Sequence, residues 1–419
     1  MVNFSCVDGF DALDPNGNIT IKWDVLVDND GSSQDVRVTI LNNQLYRHID
    51  HPGWKLSWTW PDDGVIWHMT GAETMEQGNC YKFKGSQIPH CCKKKPVIID
   101  LLPGVPYNKQ VANCCKGGVL TSLTQEPDKN IAAFQMNIGS FKGTTPKMPE
   151  NFTIGVRGYT CGDPFKVPPS KFTEDQGRRT TQALSTWNVT CSYSQFRASS
   201  SPKCCVSLSA FYNSTIVPCQ KCSCACQGQS KCIKPGELPS VLQLQPNEEP
   251  EPQVGCTSHM CPIRIHWHVK QSYKEYWRVK ITITNFNFVK NYTQWNLVVQ
   301  HPNLRSIAQL FSFNYKPLYP YGQFTNDTGL FYGVQYYNDM LQQAGKNGNV
   351  QSEMLLHKDS DMFTFREGWG FPRKVVFNGE ECVIPTPDDY PRLPNTANLP
   401  PQSNFFIFIF SMLLLPTIF

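Results

Sequence analysis

Charge is scarce in this 419-residue sequence and neither sign dominates: charged residues are 17% of the chain and the net charge is +4. So weak a charge gives nucleic acid no electrostatic footprint. The one basic triplet, Lys93–Lys95, reads as a solvated loop. The motifs of common catalysts are missing as well: there is no G-x-S-x-G, no H-E-x-x-H and no P-loop. A glycoside hydrolase would need two carboxylates facing each other across a bond. The nearest pairs, Glu73 with Glu76 and Asp62 with Asp63, stand in no catalytic context. No enzyme, catalytic residue or cofactor is expected.

What the sequence has in excess is cysteine and aromatic side chains. Its 18 cysteines include the adjacent pairs Cys91–Cys92, Cys114–Cys115 and Cys204–Cys205. An even count arranged in pairs suits an oxidised, secreted chain. Adjacent cysteines are expected to bond to different strands, so that each pair is a two-way staple. Sequons at Asn3, Asn18, Asn151, Asn188, Asn213, Asn291 and Asn326 point to the same compartment and are the expected N-glycosylation sites. The densest stretch, Cys204–Cys232, contains Cys219-x-x-Cys222-x-Cys224-x-Cys226, a spacing that resembles zinc ligation. Alternate C-x-C-x-C spacing among sequons argues for disulfides instead, and the block is read as a cystine-bonded spacer between modules. His259, His266, His268 and Cys261 form a second apparent metal cluster. His266 and His268 flank Trp267 on a strand and read as surface residues. No metal is expected.

The one long apolar run, Phe405–Phe419, is uncharged and carries Pro416. It falls short of the ~20 residues of a spanning helix. Small residues at Asn395–Ala397, a polar spacer and this tail follow the grammar of a GPI-anchor signal, with Asn395 the expected attachment site. Such a signal acts only inside the secretory pathway, whereas Met1–Phe10 shows neither a basic n-region nor an apolar h-region. The expectation is a start further upstream, which sets Asn3 and Cys6 aside as mature residues.

Ile19, Ile21, Trp23 and Val25 alternate with polar residues, as do Val36, Val38 and Ile40. Trp54, Leu56, Trp58 and Trp60 share one face of a further strand, and turns fall at Asp28–Ser33, Asn42–Asn43 and Pro61–Gly64. The design recurs. Ile263, Ile265, Trp267 and Val269 repeat the first strand at identical spacing. VKITITN at Val279–Asn285 repeats VRVTILN at Val36–Asn42, and Trp295-Asn-Leu297 repeats Trp54-Lys-Leu56. The expected fold class is all-β: two related antiparallel β-sandwich modules flanking a disulfide-rich central region. The expected division is 10–160 for the first sandwich with a cysteine-rich insert, 161–260 for the central region with its Pro/Glu linker, 261–384 for the second sandwich, and 385–419 for stalk and anchor signal. Late strands are expected at Phe363–Phe365 and Lys374–Gly379.

Flat rings in a row can stack on the apolar faces of sugars. Trp23, Trp54 and Trp267 read as core. Trp58 and Trp60 have no tryptophan counterpart in the repeat, where Val299 and His301 stand. That makes Trp58 and Trp60, with Trp67, the candidate carbohydrate-binding residues. An aromatic-rich core is the competing reading.

The segments FDALDPNGNITIKWDV, YRHIDHPGWKLSWTW, EQGNCYKFKGSQIPHCCKKKP, RRTTQALSTWNVTCSYSQF, CCVS at Cys204–Ser207 and HMCPIRIHWHVKQSYKEYWRVKITITNFN closely resemble the plant COBRA family of GPI-anchored proteins. The resemblance runs from about Phe10 to the tail. It implies a glycoprotein held by a GPI lipid on the outer leaflet of the plasma membrane, at the cell wall. It implies an N-terminal cellulose-binding-like domain that contacts cellulose or a related β-glucan, and a role in cellulose microfibril deposition and orientation and in oriented cell expansion. The competing function is a cell-surface interaction scaffold for wall synthesis that touches no glycan. One departure stands out: family members carry an aromatic in the turn between the first two strands, and VDNDGSSQD has none.

Overall fold

The computed structural model describes residues 11–83, 85, 87–174, 178–198, 202–210, 213–217, 233, 253–254, 261–320, 327–341, 348–358 and 370–391. The first half contains β1 (Ile19–Asn29), β2 (Ser33–Asn42), β3 (Lys55–Thr59), β4 (Gly64–Thr70), β5 (Ala72–Thr74), β6 (Val97–Asp100), β7 (Ile131–Ser140), β8 (Glu150–Thr153), β9 (Tyr159–Cys161), β10 (Phe165–Val167), β11 (Lys171–Glu174), β12 (Arg179–Gln182) and β13 (Ser185–Tyr193). The second half contains β14 (Cys204–Ala210), β15 (Asn213–Val217), β16 (Ile263–Ser272), β17 (Tyr276–Asn285), β18 (Tyr292–Thr293), β19 (Asn296–Gln300), β20 (Ile307–Leu310), β21 (Phe313–Leu318), β22 (Thr328–Gly333), β23 (Met340–Leu341), β24 (Asn349–His357), β25 (Lys374–Phe377) and β26 (Glu380–Glu381).

These strands build the two expected sandwiches. In the first, a sheet ordered β10-β13-β1-β2-β7-β4, with β9 beside β13, packs on β5-β6-β3-β8. In the second, β15-β14-β16-β17-β24-β20 packs on β21-β22-β19-β25-β26. The alternating residues do the packing: Ile19, Ile21, Trp23, Val36, Val38 and Ile40 are buried on one side of the first sheet, and Ile263, Ile265, Trp267, Val279, Ile281 and Ile283 repeat them in the second. The duplication extends to irregularities. β1 shifts register against β2 between Val25 and Val27, and β16 shifts against β17 between Val269 and Gln271. One pairing departs from the antiparallel expectation, since β14 runs parallel to β16.

The expected central region, 161–260, is not a unit of its own among the described residues. β13 pairs with β1 and completes the first sheet, whereas β14 pairs with β16 and completes the second. The division falls between Tyr193 and Cys204, because each strand goes where a sheet edge offers hydrogen bonds. The disulfides follow this division. Cys161–Cys191 ties β9 to β13 in the first module. Cys204–Cys382 and Cys205–Cys261 both lie within the second, so this adjacent pair is a two-way staple but not an inter-module spacer.

Two cysteine expectations fail. Cys114 and Cys115 bond to each other. Asn113 and Cys115 have φ of 71° and 69°, and the Asp100 carboxylate accepts the backbone N–H groups of Cys115, Lys116 and Gly118 at 2.8, 2.8 and 3.0 Å. That cradle folds the chain tightly enough for neighbouring sulfurs to meet. Cys92 bonds Cys80, leaving Cys91 a buried free thiol. Cys219–Cys232, the Pro/Glu linker, Phe363–Phe365 and residues 392–419 lie outside the described residues, whereas the start of the expected stalk forms a turn at Pro387–Asp389 and packs Tyr390 on the second core.

Among the described residues, side chains and not cystines join the modules. Leu13 and Tyr46 pack with Val298, Leu318, Leu330 and Val376. Asn296 Nδ2 donates to the Tyr46 carbonyl and Lys316 Nζ to that of Thr124, both at 2.7 Å. The Tyr193 hydroxyl and Gln195 Nε2 donate to the two carboxylate oxygens of Glu380, each at 2.7 Å.

Candidate functional site

Trp58 and Trp60, expected on a ligand face, are core residues: both are 0% exposed. Their rings meet edge to face, with centroids 5.7 Å apart, and both pack on Trp23, at 5.3 and 6.4 Å. No sugar ring reaches them. The missing tryptophan counterparts reflect a different filling of the same space. In the second module Val299 and His301 are equally buried, and His301 lies flat on Trp267 at 5.4 Å. The strand-face pattern placed the tryptophans on one side correctly, but that side is the interior. A strand of the opposing sheet buries its row as deeply as β1 buries its own.

Trp67 has the opposite fate. It is the extra residue of a β-bulge, where β4 shifts register against β7 between Ile66 and His68. Ile66 is buried, and the bulge turns the next side chain onto the outer surface of the seven-stranded sheet. The indole lies over Gly139, whose position could not hold a side chain: a Cβ there would sit 2.5 Å from Trp67 Nε1. Phe83 meets Trp67 edge to face at 5.2 Å, and Phe141 meets Phe83 at 5.4 Å. Phe83 is held in the loop closed by Cys80–Cys92. Phe141 follows β7 directly and is 48% exposed. Lys82 stands over its ring at 5.7 Å, and Tyr81 beside it in the loop is exposed. The result is an aromatic ledge at one end of the sheet.

The sheet surface beside the ledge is polar and nearly neutral. Asp35 accepts from Asn137 Nδ2 at 2.7 Å, and the Arg37 guanidinium covers the Phe172 ring of the β11–β12 ribbon at 5.4 Å. Asp24, buried under that ribbon, accepts from the Thr186 hydroxyl at 2.6 Å. Hydroxyl, amide and paired charges next to exposed rings are what a neutral, hydroxyl-rich ligand requires. The β1–β2 turn reaches the same end, where Ser33 pairs with Gly139. Its conformation, with Asp30 and Gly31 at φ of 51° and 71°, is set by Gly31 N–H on the Asp28 carboxylate. Sequence reasoning missed Phe83 and Phe141. Their signal was an aromatic on either side of the loop-strand boundary, where turn residues are usually polar.

Of the other sequence candidates, Glu73 and Asp63 are exposed and His259 lies outside the described residues. Glu76 is paired with Lys93, and Asp62 accepts the Lys147 backbone N–H at 2.8 Å. Cys261 is committed to Cys205, so it offers no thiolate to His266 and His268. Those two histidines are half-buried and joined through serines: Ser207 Oγ to His266 Nδ1 at 2.7 Å, and Ser209 Oγ to His266 Nε2 at 2.9 Å and His268 Nδ1 at 2.7 Å. Among the described residues no group of three or more His, Cys, Asp or Glu side chains is placed to hold a metal. Asn151 and Asn291 are exposed, and Asn18 and Asn188 are partly so. Asn213 side-chain placement, Asn326 and Asn395 lie outside what is described.

Comparison with known proteins agrees with these boundaries. Residues 34–194 match the COBRA N-terminal domain and residues 203–391 the COBRA family C-terminal domain. The chain is 59% identical over 403 residues to COBRA-like protein 6 of Arabidopsis thaliana, covering 95% of this chain and 88% of the relative. It is 57% identical over 419 residues to COBRA-like protein 3 of Oryza sativa subsp. japonica, covering 97% and 91%. Against Protein COBRA of Arabidopsis thaliana the identity is 56% over 406 residues, covering 94% and 88%. With both of its sandwiches matched and more than half its residues shared over almost its whole length, the chain belongs to the COBRA family.

Proposed function

We propose that this protein is a non-enzymatic, GPI-anchored glycoprotein of the outer plasma-membrane face that binds cellulose or a related β-glucan and assists microfibril deposition and orientation at the cell wall. The observation that carries the reading is the ledge of Trp67, Phe83 and Phe141 beside a neutral polar sheet face. Successive rings of a β-glucan present apolar faces, which stack on such side chains, and equatorial hydroxyls, which suit the amides and hydroxyls alongside. Family membership supports the same direction. The first module is the binding module, with Trp67 retained from the sequence candidates and Trp58 and Trp60 acting only as its core.

Retention of the intact protein on crystalline cellulose tests the binding, and the absence of any retention would refute it. The anchor at Asn395 is tested separately by release from membranes with a phosphatidylinositol-specific phospholipase. Persistent attachment would argue for another tether. The scaffold reading draws on Tyr336 and Tyr337, 93% and 74% exposed on a loop of the second module. Glycan binding by the protein would make that surface additional rather than primary.

A further inference from the structure

The matching bulges allow the outer faces of the two modules to be compared position by position. β20 shifts register against β24 between Ile307 and Gln309, as β4 does against β7 between Ile66 and His68. Ala308 therefore stands where Trp67 stands, and the indole of the first ledge has no equivalent. The charges change as well. Arg278 occupies the position of Asp35, Lys280 that of Arg37, Glu353 that of Gln135 and His268 that of Asp24, as the paired registers show. In the first module Lys22 and Arg37 are balanced by Asp24 and Asp35. In the second, Lys270, Arg278 and Lys280 face the single carboxylate of Glu353. The titratable groups around it, His266, His268 and His357, add no negative charge.

These residues border a cleft. It has a volume of about 320 Å³ and lies between Arg278 and Lys280 of β17, Gln351 and Glu353 of β24, and the segment Phe311–Ser312. Phe311 is 49% exposed, so one face of its ring is open. Glu353 is fully used: Lys270 Nζ reaches Oε1 at 2.6 Å, and Arg278 Nε and Nη2 both reach Oε2, at 3.0 and 2.7 Å. Lys280 has no ion pair or hydrogen bond among the described residues, whereas the Arg278 guanidinium is held by Glu353 and Tyr273. The cleft thus holds an uncompensated ammonium, an open ring face, an amide and a hydroxyl.

We propose that this cleft binds acidic sugar residues, that is, the hexuronates of a linear polyuronate chain. The carboxylate docks on Lys280, with the positive charge of Arg278 at the wall of the same cleft. The pyranose ring lies against Phe311, and its hydroxyls meet Gln351 and Ser312. A neutral glucan would leave Lys280 unmatched and find no tryptophan at Ala308, so the two modules take chemically different glycans. The site is separate from the ledge of the first module, and its test does not depend on cellulose binding.

The test is binding of the intact protein to polygalacturonate in calcium-free buffer, alongside its methyl ester, cello-oligosaccharide and poly-glutamate, at low and physiological salt. The expected result is binding of the free acid that weakens with salt, little binding of the methyl ester, and at least about tenfold weaker binding for Lys280→Ala and for Phe311→Ala, or roughly 1.4 kcal/mol each. Both side chains are at the surface, so both variants should keep the wild-type melting temperature, and Trp67→Ala should bind polygalacturonate unchanged. Wild-type affinity in both cleft variants would overturn the site. Poly-glutamate binding as tightly as polygalacturonate would reduce the cleft to a charge trap and overturn the sugar assignment. No binding of polygalacturonate would overturn the proposal outright.

Discussion

The Nε of Arg47 donates to the carbonyl oxygen of Gly379 at 3.0 Å, across the seam between the two modules. The same guanidinium pairs with Asp11 at 2.6 Å and lies over the Tyr193 ring at 4.3 Å. Gly379 has φ of 81°, and a Cβ there would sit 2.4 Å from Arg47 Cγ, so the approach depends on glycine. A buried charge with its partners in place is tolerated, but removing one member leaves the others without compensation. Arg47→Ala should lower stability by about 3–5 kcal/mol. In calorimetry both modules should melt earlier together. A second module that melts as before would mean that the seam does not couple them.

Beside this pair, Asp14 is pushed up to about 6 by burial, with the Leu45 N–H and Arg47 pulling in the opposite direction. Its value in the unfolded chain is 3.8, so the folded protein binds the proton more tightly. Stability is therefore greatest below about pH 4 as far as this group is concerned, and falls as pH rises toward 6, after which the cost is constant. Asp14→Asn should gain up to about 3 kcal/mol at pH 7 and almost nothing at pH 4. Urea titrations at the two pH values check this. An equal gain at both would assign the effect to packing.

The indoles of Trp58 and Trp60 fill the centre of the first sandwich, and neither Nε1 has a hydrogen-bond partner among the described residues. Their contribution is packing alone. Trp58→Ala should cost about 3–5 kcal/mol, read as a lower denaturation midpoint. Trp58→Phe should recover most of it. If Trp58→Ala left stability intact and removed glycan binding, the core placement would be wrong.

Cys204–Cys382 closes a loop with a sequence separation of 178. On the chain-entropy account that cross-link is worth about 5 kcal/mol. The Cys204→Ser/Cys382→Ser variant should destabilise the second module and leave the core of the first protected in hydrogen exchange. Equal loss of protection in both modules would restore the spacer role expected for this block.

Much of the fold was legible because its signal is local. Alternation at Ile19–Val25 and its repetition at Ile263–Val269 fix two strands and their buried faces without further information. What failed depended on contacts distant in sequence. Whether the tryptophan row at Trp54–Trp60 faced solvent or core was decided by the opposing sheet, including Trp23. The assignment of β13 and β14 to different modules was decided by which sheet edge each could complete. The ledge was half legible. Trp67 stood out as a tryptophan, but Phe83 and Phe141 join it only through a disulfide-closed loop and a bulge, neither of which periodicity reveals. The Cys114–Cys115 bond depends on the backbone cradle around Asp100, for which adjacency gives no cue.

The central claim is that glucan stacks on the ledge of the first module. Its most direct test is a depletion isotherm of the intact protein on microcrystalline cellulose, comparing wild type with Trp67→Ala/Phe141→Ala, both confirmed as folded by melting temperature. Stacking contributes about 1 kcal/mol or more per ring, so the double variant should bind at least about tenfold more weakly, with Lys280→Ala as an unaffected control. Wild-type retention of the double variant would contradict the account.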